Sequence, residues 1–341
     1  MRKTIRISMG KLQELRTTFT RSPLLIALLV TSGLAYGWPR FTTSSDPFRL
    51  SSEGLLTLVG LTMFCLGLVL TAEEMSELRR RPATVLLGVV LQCTLMPALA
   101  WSVVQALSLE GDLALGVVLT GCVPGAMASN VLTMTARGNV SYSVSLTTVA
   151  TLLSPLTVPA ALTLVTGMQA GEQAFDPGRT AMMLGVTVVG PVVLGFASKQ
   201  WFPFLRPLAS RVASPVASIA LLWIIASVVA GNRDRLSQIQ WQMLLALLLV
   251  NLLGYLGGFL VGKTAKLPDA MTRALTLEVG MQNAGLGTAL AASLLGSDSI
   301  AQVPTAVYTF GCMLTGTLLA ALFGRIALAN GGSPLDDATS D

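Results

Sequence analysis

Apolar residues fill this chain in ten long stretches, and short polar connections separate them. An α-helix needs about 20 mostly apolar residues to cross the hydrocarbon core of a bilayer. Strict alternation over about ten residues, which marks a membrane β-strand, is absent. The pattern therefore predicts an all-α membrane protein with ten transmembrane helices. The predicted spans are 23–38, 54–72, 83–107, 114–136, 142–167, 180–198, 212–231, 240–262, 270–295 and 301–324.

Composition supports a chain that lies largely in lipid. Hydrophobic residues make up 52% of the 341 residues and charged residues only 11%, against about a quarter charged in soluble proteins. The net charge of +5 comes from Lys and Arg in the short connections, so nucleic acid is not an expected partner. The chain has no histidine and no CxxC pair, which argues against zinc. Cys65, Cys93, Cys122 and Cys312 fall inside spans and are expected to be packing residues.

The basic residues predict the orientation. Five of the twenty-two Lys and Arg residues fall in one set of connections: Arg40, Arg49, Arg179, Arg233 and Arg235. The others fall in the alternate set and at the N-terminus, and cytoplasmic connections carry the excess of Lys and Arg. We therefore expect an inner (plasma) membrane protein whose termini, a basic segment 1–22 and a disordered tail 329–341, are both cytoplasmic. A cleaved signal peptide remains an alternative for the first span.

The ten spans divide into two units of five, residues 23–167 and 180–328. Because five is odd, the second unit enters the membrane from the opposite side, and a duplicated unit would form an inverted repeat. Sequence similarity between the two units is weak. Their fourth spans nevertheless correspond, since each holds the least regular sequence of its unit.

These two spans, the fourth and the ninth, each contain a polar, glycine-rich interruption. Residues 121–130 read GCVPGAMASN, and residues 278–285 read EVGMQNAG. Proline removes a backbone donor and clashes with the preceding turn, so Pro124 predicts a break near mid-membrane. Non-helical backbone at this depth is tolerated only inside protein or beside a water-filled cavity. Interruptions at matching places in two halves indicate a transport site.

Glu278 is the only acidic residue within the ten predicted spans. A carboxylate at the bilayer centre costs at least about 2.5 kcal/mol, so it is expected to face a cavity and to bind a cation or a proton. Carboxylate, amide, hydroxyl and carbonyl oxygens are the ligands of hard cations such as sodium. Side chains of this kind near the interruptions are Gln92, Ser129, Asn130, Ser143, Thr147, Gln282 and Asn283.

These residues resemble the bile acid:sodium symporter family. The resemblance covers about residues 20–328, and its motifs are 122–125, 129–130, 136–140, 153–155 and 278–286. It implies a panel domain, formed by spans one, two, six and seven, and a core domain, formed by spans three to five and eight to ten. Within the core, the fourth and ninth spans would be discontinuous and would cross.

The resemblance also implies two sodium ions and an anion site. The first ion would be held by Ser129, Asn130, Ser143, Thr147 and Glu278. The second would be held by Gln92, Glu278, Gln282 and the backbone of Val279 and Met281. A small organic anion would lie between panel and core at the helix ends, where free N–H groups can meet a carboxylate. Its expected contacts are Gly125, Ala126, Met127, where relatives can have a hydroxyl residue, and Asn283.

The expected function is sodium-coupled symport of this anion by alternating access. By analogy, pantoate, ketopantoate, pyruvate or another 2-oxo acid is preferred as the substrate to a bile acid. Proton coupling through Glu278 and a passive facilitator remain alternatives, although no ring of like charges and no filter motif is visible. Without histidine or a G-x-S-x-G elbow, an enzyme is not expected. The lipid bilayer is the expected partner, and no obligate protein partner is evident.

Overall fold

The computed structural model describes residues 23–41, 45–71, 79–167, 176–202, 204–236, 240–296 and 299–329. The predicted basic segment 1–22 and residues 330–341 of the predicted tail lie outside the described residues.

Helices form the regular structure of the described part of the chain. In the first half they are α1 (Pro23–Phe41), α2 (Ser52–Val69), α3 (Pro82–Ala106), α4 (Gly111–Cys122), α5 (Ala128–Thr135) and α6 (Val140–Gly167). In the second half they are α7 (Pro177–Leu184), a π-helix (Gly185–Val189), α8 (Gly190–Trp201), α9 (Leu205–Gly231), α10 (Arg233–Leu236), α11 (Trp241–Thr264), α12 (Asp269–Gly280), α13 (Ala284–Leu295) and α14 (Gln302–Ala329).

Seven helical stretches among the described residues are long and apolar enough to cross a membrane. They are Ser52–Val69, Pro82–Ala106, Val140–Val165, Pro177–Trp201, Arg211–Gly231, Trp241–Thr264 and Gln302–Ala329. These stretches coincide with predicted spans two, three, five, six, seven, eight and ten. The prediction of a helical, multi-pass membrane protein is therefore confirmed, while the ten-span inverted plan remains a prediction.

The fourth and ninth predicted spans are each divided into two short helices. α4 ends at Cys122, and Val123 is extended with φ −73° and ψ 156°, because a residue that precedes proline is driven out of the helical region. α12 ends at Gly280, and Met281 is extended with φ −108° and ψ 102°. We call the two unwound segments, residues 123–127 and 281–283, the crossing.

The sixth predicted span is continuous, but its middle is a π-helix that the sequence pattern did not predict. Here the Gly190 N–H bonds to the Gly185 carbonyl, five residues back. Pro191 follows directly and cannot donate, and its ring crowds the carbonyl four residues earlier. One extra residue in the turn is a common way for a membrane helix to absorb such a conflict.

The helices pack in two groups. α2 packs against α8 and α9, and α1 packs against α9. In the other group, α3 packs against α4, α6 and α11, α11 packs against α12, and α13 packs against α14. The crossing lies within the second group, at the face that looks toward α2 and α9.

Candidate functional site

The two unwound segments of the crossing bind each other through their backbones. The Ala126 N–H donates to the Met281 carbonyl at 2.8 Å, and the Asn283 N–H donates to the Pro124 carbonyl at 2.8 Å. The segments run antiparallel. Broken helices leave backbone groups open, and inside a membrane protein such groups need a partner within the protein. The pairing supplies it and fixes the two half-helices to each other.

The carboxylate of Glu278 lies in the last turn of α12, beside the crossing, and the residue is only 2% exposed. Three hydroxyl groups donate to this carboxylate. Ser129 of α5 and Ser143 of α6 reach Oε2 at 2.5 and 3.3 Å, and Thr147 of α6 reaches Oε1 at 2.6 Å. The Glu278 carboxylate, in the ninth predicted span, is therefore hydrogen-bonded by hydroxyl groups of the fourth and fifth predicted spans.

Two further side chains extend this cluster. Thr147 Oγ1 lies 3.5 Å from Asn130 Oδ1, and Thr133 donates to the Ser143 hydroxyl at 3.3 Å. The five side chains predicted to hold the first ion thus lie together. Thr133 was not predicted, although its position four residues after Ser129 places it on the same face of α5.

No Lys or Arg side chain in the described part of the chain forms an ion pair with Glu278. Ion pairs are found instead between Arg233 and Asp46 and between Lys263 and Asp269, each at 2.6 Å. The described residues also contain no group of three His, Cys, Asp or Glu side chains that could hold a metal ion. One buried carboxylate among neutral hydroxyl and amide oxygens suits a hard, singly charged cation rather than a transition metal.

Gly125 lies directly against the Glu278 carboxylate and opposite Gln282 in the crossing. A Cβ atom at position 125 would overlap Oε1 of the carboxylate. Gly125, predicted as an anion contact, therefore faces the acidic group, and it is not among the residues that line the crevice described below.

Two buried amides, those of Gln92 and Gln282, adjoin each other at the crossing. In the orientation that satisfies its neighbours, Gln282 Nε2 donates to the Val123 and Pro124 carbonyls at 2.8 and 3.2 Å, and its Oε1 accepts from Gln92 at 3.2 Å. Gln92 is 3% exposed, and in this orientation its Nε2 lies 2.6 Å from Gln282 Nε2, so the two amides pair when the Gln92 amide is turned as well. Amide oxygens are among the ligands of hard cations.

The crossing also leaves N–H groups at the starts of two half-helices. Met127 precedes α5 and caps it with no side-chain hydrogen bond. Asn283 precedes α13, and its Oδ1 accepts from the Leu286 N–H at 3.1 Å, a capping role that the sequence interpretation missed. Within the described structure the N–H groups of Met127, Ala128 and Gly285 have no hydrogen-bond acceptor. The positive ends of both helices are therefore available to an anion.

A crevice opens beside these helix ends. One wall comes from α1, α2 and α9, and the other from the crossing, α13 and α14. The lining residues include Thr62, Met63, Ala126, Met127, Ser214, Ala217, Ser218, Leu221, Asn283, Gly285 and Thr309. None of the described lining residues is charged, so an anion in the crevice would be met by N–H groups and by hydroxyl or amide side chains.

Sequence reasoning missed two buried polar residues behind the crossing. Asn251 of α11 donates from Nδ2 to the Gly280 carbonyl at 2.8 Å, and the Tyr308 hydroxyl of α14 donates to the same carbonyl at 2.8 Å. Asn251 gave a signal, since it is an amide in the middle of the leucine-rich eighth span, away from Gln240 and Gln242 at the start of that span. Tyr308 gave none, because a tyrosine in a span is more often a packing residue.

Comparison with known proteins finds a matching family model and several similar proteins. The model of the sodium bile acid symporter family matches residues 56–239. An uncharacterized sodium-dependent transporter, YocS, of Bacillus subtilis is 34% identical over 88% of this chain and 90% of its own length.

Plant and human relatives are also similar. The probable sodium/metabolite cotransporter BASS1 of Arabidopsis thaliana, a chloroplast protein, is 32% identical over 80% of this chain and 67% of its own length. The human ileal sodium/bile acid cotransporter is 30% identical over 69% of this chain and 68% of its own length. These relatives are named as transporters and cotransporters, not as enzymes.

Proposed function

The chain belongs to the sodium bile acid symporter family, and from that premise we propose that it is a sodium-coupled symporter of a small organic anion. In this proposal the protein spans the inner (plasma) membrane ten times, as two inverted units of five spans with both termini in the cytoplasm. The observation that carries the proposal is the buried Glu278 carboxylate, which is surrounded by hydroxyls and has no basic partner among the described residues.

The first sodium ion would bind at the Glu278 carboxylate. The hydroxyls of Ser129, Ser143 and Thr147 are already within hydrogen-bond distance of that carboxylate, and the Asn130 amide oxygen adjoins Thr147. These groups are all oxygen ligands, which hard cations prefer. A cation would replace the hydroxyl–carboxylate bonds with shared coordination and would neutralise a charge that is costly in this environment.

The second ion would bind between Glu278, the two amides and the end of α12. The Gln92 and Gln282 amides, which are buried and adjoin each other at the crossing, support this assignment. The Val279 carbonyl supports it too. In a continuous helix this carbonyl would accept from the Asn283 N–H, but that N–H bonds to the Pro124 carbonyl instead. The Met281 carbonyl and the Gln282 side chain complete the set, and Glu278 would couple the two ions by serving both.

The anion would occupy the crevice, with its carboxylate at the starts of α5 and α13. The free N–H groups of Met127, Ala128 and Gly285 and the positive ends of both half-helices favour a negative charge there. The largely apolar walls suit an anion with an apolar body. Met127 offers no hydroxyl to the ligand, so ligand selection at this position depends on the shape of its side chain.

Alternating access would follow from movement of the core against the panel. The crossing, both ion sites and the helix starts all belong to the group formed by α3–α6 and α11–α14. The opposite wall of the crevice belongs to α1, α2 and α9. Sodium would order the crossing and so complete the anion site before the core moves.

The test is the substitution Glu278→Gln, which keeps the size of the side chain but removes its charge and replaces one acceptor oxygen with an NH2 donor. For the unchanged protein we expect sodium chloride, but not choline chloride, to raise the melting temperature of the purified protein. We also expect sodium to drive uptake of one or more carboxylates in proteoliposomes, with pyruvate, pantoate and ketopantoate screened first. Glu278→Gln should abolish both sodium effects.

Glu53→Gln is the matched control, because it is the same substitution at an exposed position at the start of α2; it should leave both effects intact. Sodium-dependent uptake by Glu278→Gln would refute the central role of the carboxylate. Uptake that follows a proton gradient and ignores sodium would indicate a proton symporter, and uptake that needs neither gradient would indicate a facilitator.

A further inference from the structure

The Gly280 carbonyl, at the end of α12, is held by side chains from two other helices. Asn251 of α11 and Tyr308 of α14 each donate to it at 2.8 Å. A carbonyl oxygen has two lone pairs, so both are engaged. The donors are 2% and 1% exposed, and a carbonyl at a helix end needs only one partner or a water. Two buried donors on one carbonyl therefore fix its direction as well as satisfying it.

Neighbouring contacts fix the two donors in turn. Thr315 of α14 donates to Asn251 Oδ1 at 2.6 Å, which sets the orientation of the amide. The Asn251 amide also lies 3.5 Å from the Tyr308 hydroxyl. On the other side, the ring of Tyr255 fills the space that a side chain at position 280 would need. The end of α12 therefore has little freedom to rotate.

Gly280 lies between the two residues whose carbonyls we assign to the second sodium ion. Its carbonyl and the Met281 N–H belong to one rigid peptide plane, and that N–H bonds back to the Leu277 carbonyl at 3.0 Å. A rotation of this plane would turn the Val279 and Met281 carbonyls that flank it. Holding the Gly280 carbonyl toward α11 and α14 leaves its two neighbours free to face the ion.

We propose that Asn251 and Tyr308 are positioning residues for the second sodium ion, acting through the Gly280 carbonyl. This inference rests on the proposed sodium sites. The two donors hold the carbonyl ligands in their binding direction before sodium arrives, so that less ordering is needed when the ion binds. They touch neither the ion nor the Ser129 and Thr147 hydroxyls, so the first ion should be little affected by their loss.

The test is a sodium titration of purified Tyr308→Phe, with choline chloride keeping the ionic strength constant and the melting temperature as the readout. Loss of this one hydrogen bond to the Gly280 carbonyl should raise the half-effect concentration of sodium, at which half of the maximal rise in melting temperature is reached, roughly tenfold. The steepness of the titration should fall toward that of a single ion. Asn251→Leu, which removes the other donor from a different helix, should have the same two effects.

Tyr142→Phe is the matched control. Tyr142 is 0% exposed, and its hydroxyl also donates to a backbone carbonyl, that of Thr84, at 3.1 Å. The control should lose comparable stability without sodium, yet its half-effect concentration and steepness should stay those of the unchanged protein.

The inference fails if Tyr308→Phe and Asn251→Leu lower the melting temperature but leave both titration parameters unchanged. Its failure is separate from that of the proposed function, because the unchanged protein would still respond to sodium in that case. If the unchanged protein does not respond to sodium, the ion sites themselves are refuted and the positioning role is refuted with them.

Discussion

At the scale of single residues, Gly125 limits the space that is available to the Glu278 carboxylate. Gly125 contacts the carboxylate so closely that a Cβ would overlap Oε1. The same oxygen accepts the 2.6 Å bond from Thr147. The carboxylate is buried beside the crossing, so it cannot move aside into water. Glycine at position 125 therefore leaves room for the Glu278 carboxylate as well as allowing the unwound backbone.

Gly125→Ala should consequently disturb the first ion site without removing any ligand. The added methyl group would displace Oε1 from Thr147, and the sodium concentration of half effect should rise at least tenfold, about 1.4 kcal/mol in binding free energy. The sodium titration of the melting temperature measures this change directly. Gly311→Ala serves as the control, because no atom lies within 4 Å of a Cβ built there, and its titration should be unchanged. An unaltered titration for Gly125→Ala would contradict the geometry of the site.

At the scale of the elements, the breaks could be predicted from the sequence because their causes are local. Pro124 and the glycines beside both interruptions act on the turn in which they stand. The pairing of Ala126 with Met281 and of Asn283 with Pro124 joins distant parts of the chain, and no pattern within one span encodes it. The ligand types could be read from residue identity, but the number of hydroxyls that reach Glu278 follows only from this pairing.

The π-helix and the role of Tyr308 could not be predicted, because the sequence pattern does not resolve the local adjustment or the distant contact on which each depends. The π-helix Gly185–Val189 depends on how one turn accommodates Pro191, and periodicity does not resolve a single extra residue. Tyr308 has the spacing and character of a packing residue, so only its contact with the Gly280 carbonyl distinguishes it. The sequence thus predicts which types of side chain form the site, but not which neighbouring residues hold them in position.

Asn283 has two roles, as the cap of α13 and as a proposed contact of the anion, and two substitutions separate these roles. Asn283→Ala removes the cap of α13 and should cost about 1 kcal/mol of stability. Asn283→Asp retains a capping oxygen, so stability should hold. Its negative charge at the crevice should repel the anion and raise the carboxylate concentration for half-maximal uptake roughly tenfold or more. Thermal unfolding measures the first effect and proteoliposome uptake the second. Normal uptake by Asn283→Asp would place the anion elsewhere.

At the scale of the whole molecule, contacts between the proposed panel and core include hydrogen bonds at the far end of α13. The Ser52 hydroxyl of α2 donates to the Ala292 carbonyl at 3.2 Å, and the Ser293 hydroxyl donates to Met183 Sδ of α7 at 3.0 Å. Each is a single, weak bond, and neither joins charged groups. Bonds of this strength can break and re-form during a cycle, which is what a core moving against a fixed panel requires.

Linking the two groups at this place should therefore stop transport without affecting ion binding. In a Ser52→Cys, Ala292→Cys pair, a short bifunctional thiol reagent would tie α2 to α13, and sodium-driven uptake should cease while the sodium titration persists. The ion ligands all lie on helices of the core, so they need no movement of the panel. Three native cysteines, Cys65, Cys122 and Cys312, are buried, and the two single variants treated alike control for reaction at Cys93. Full uptake by the linked pair would show that the panel and core do not separate at this end during transport.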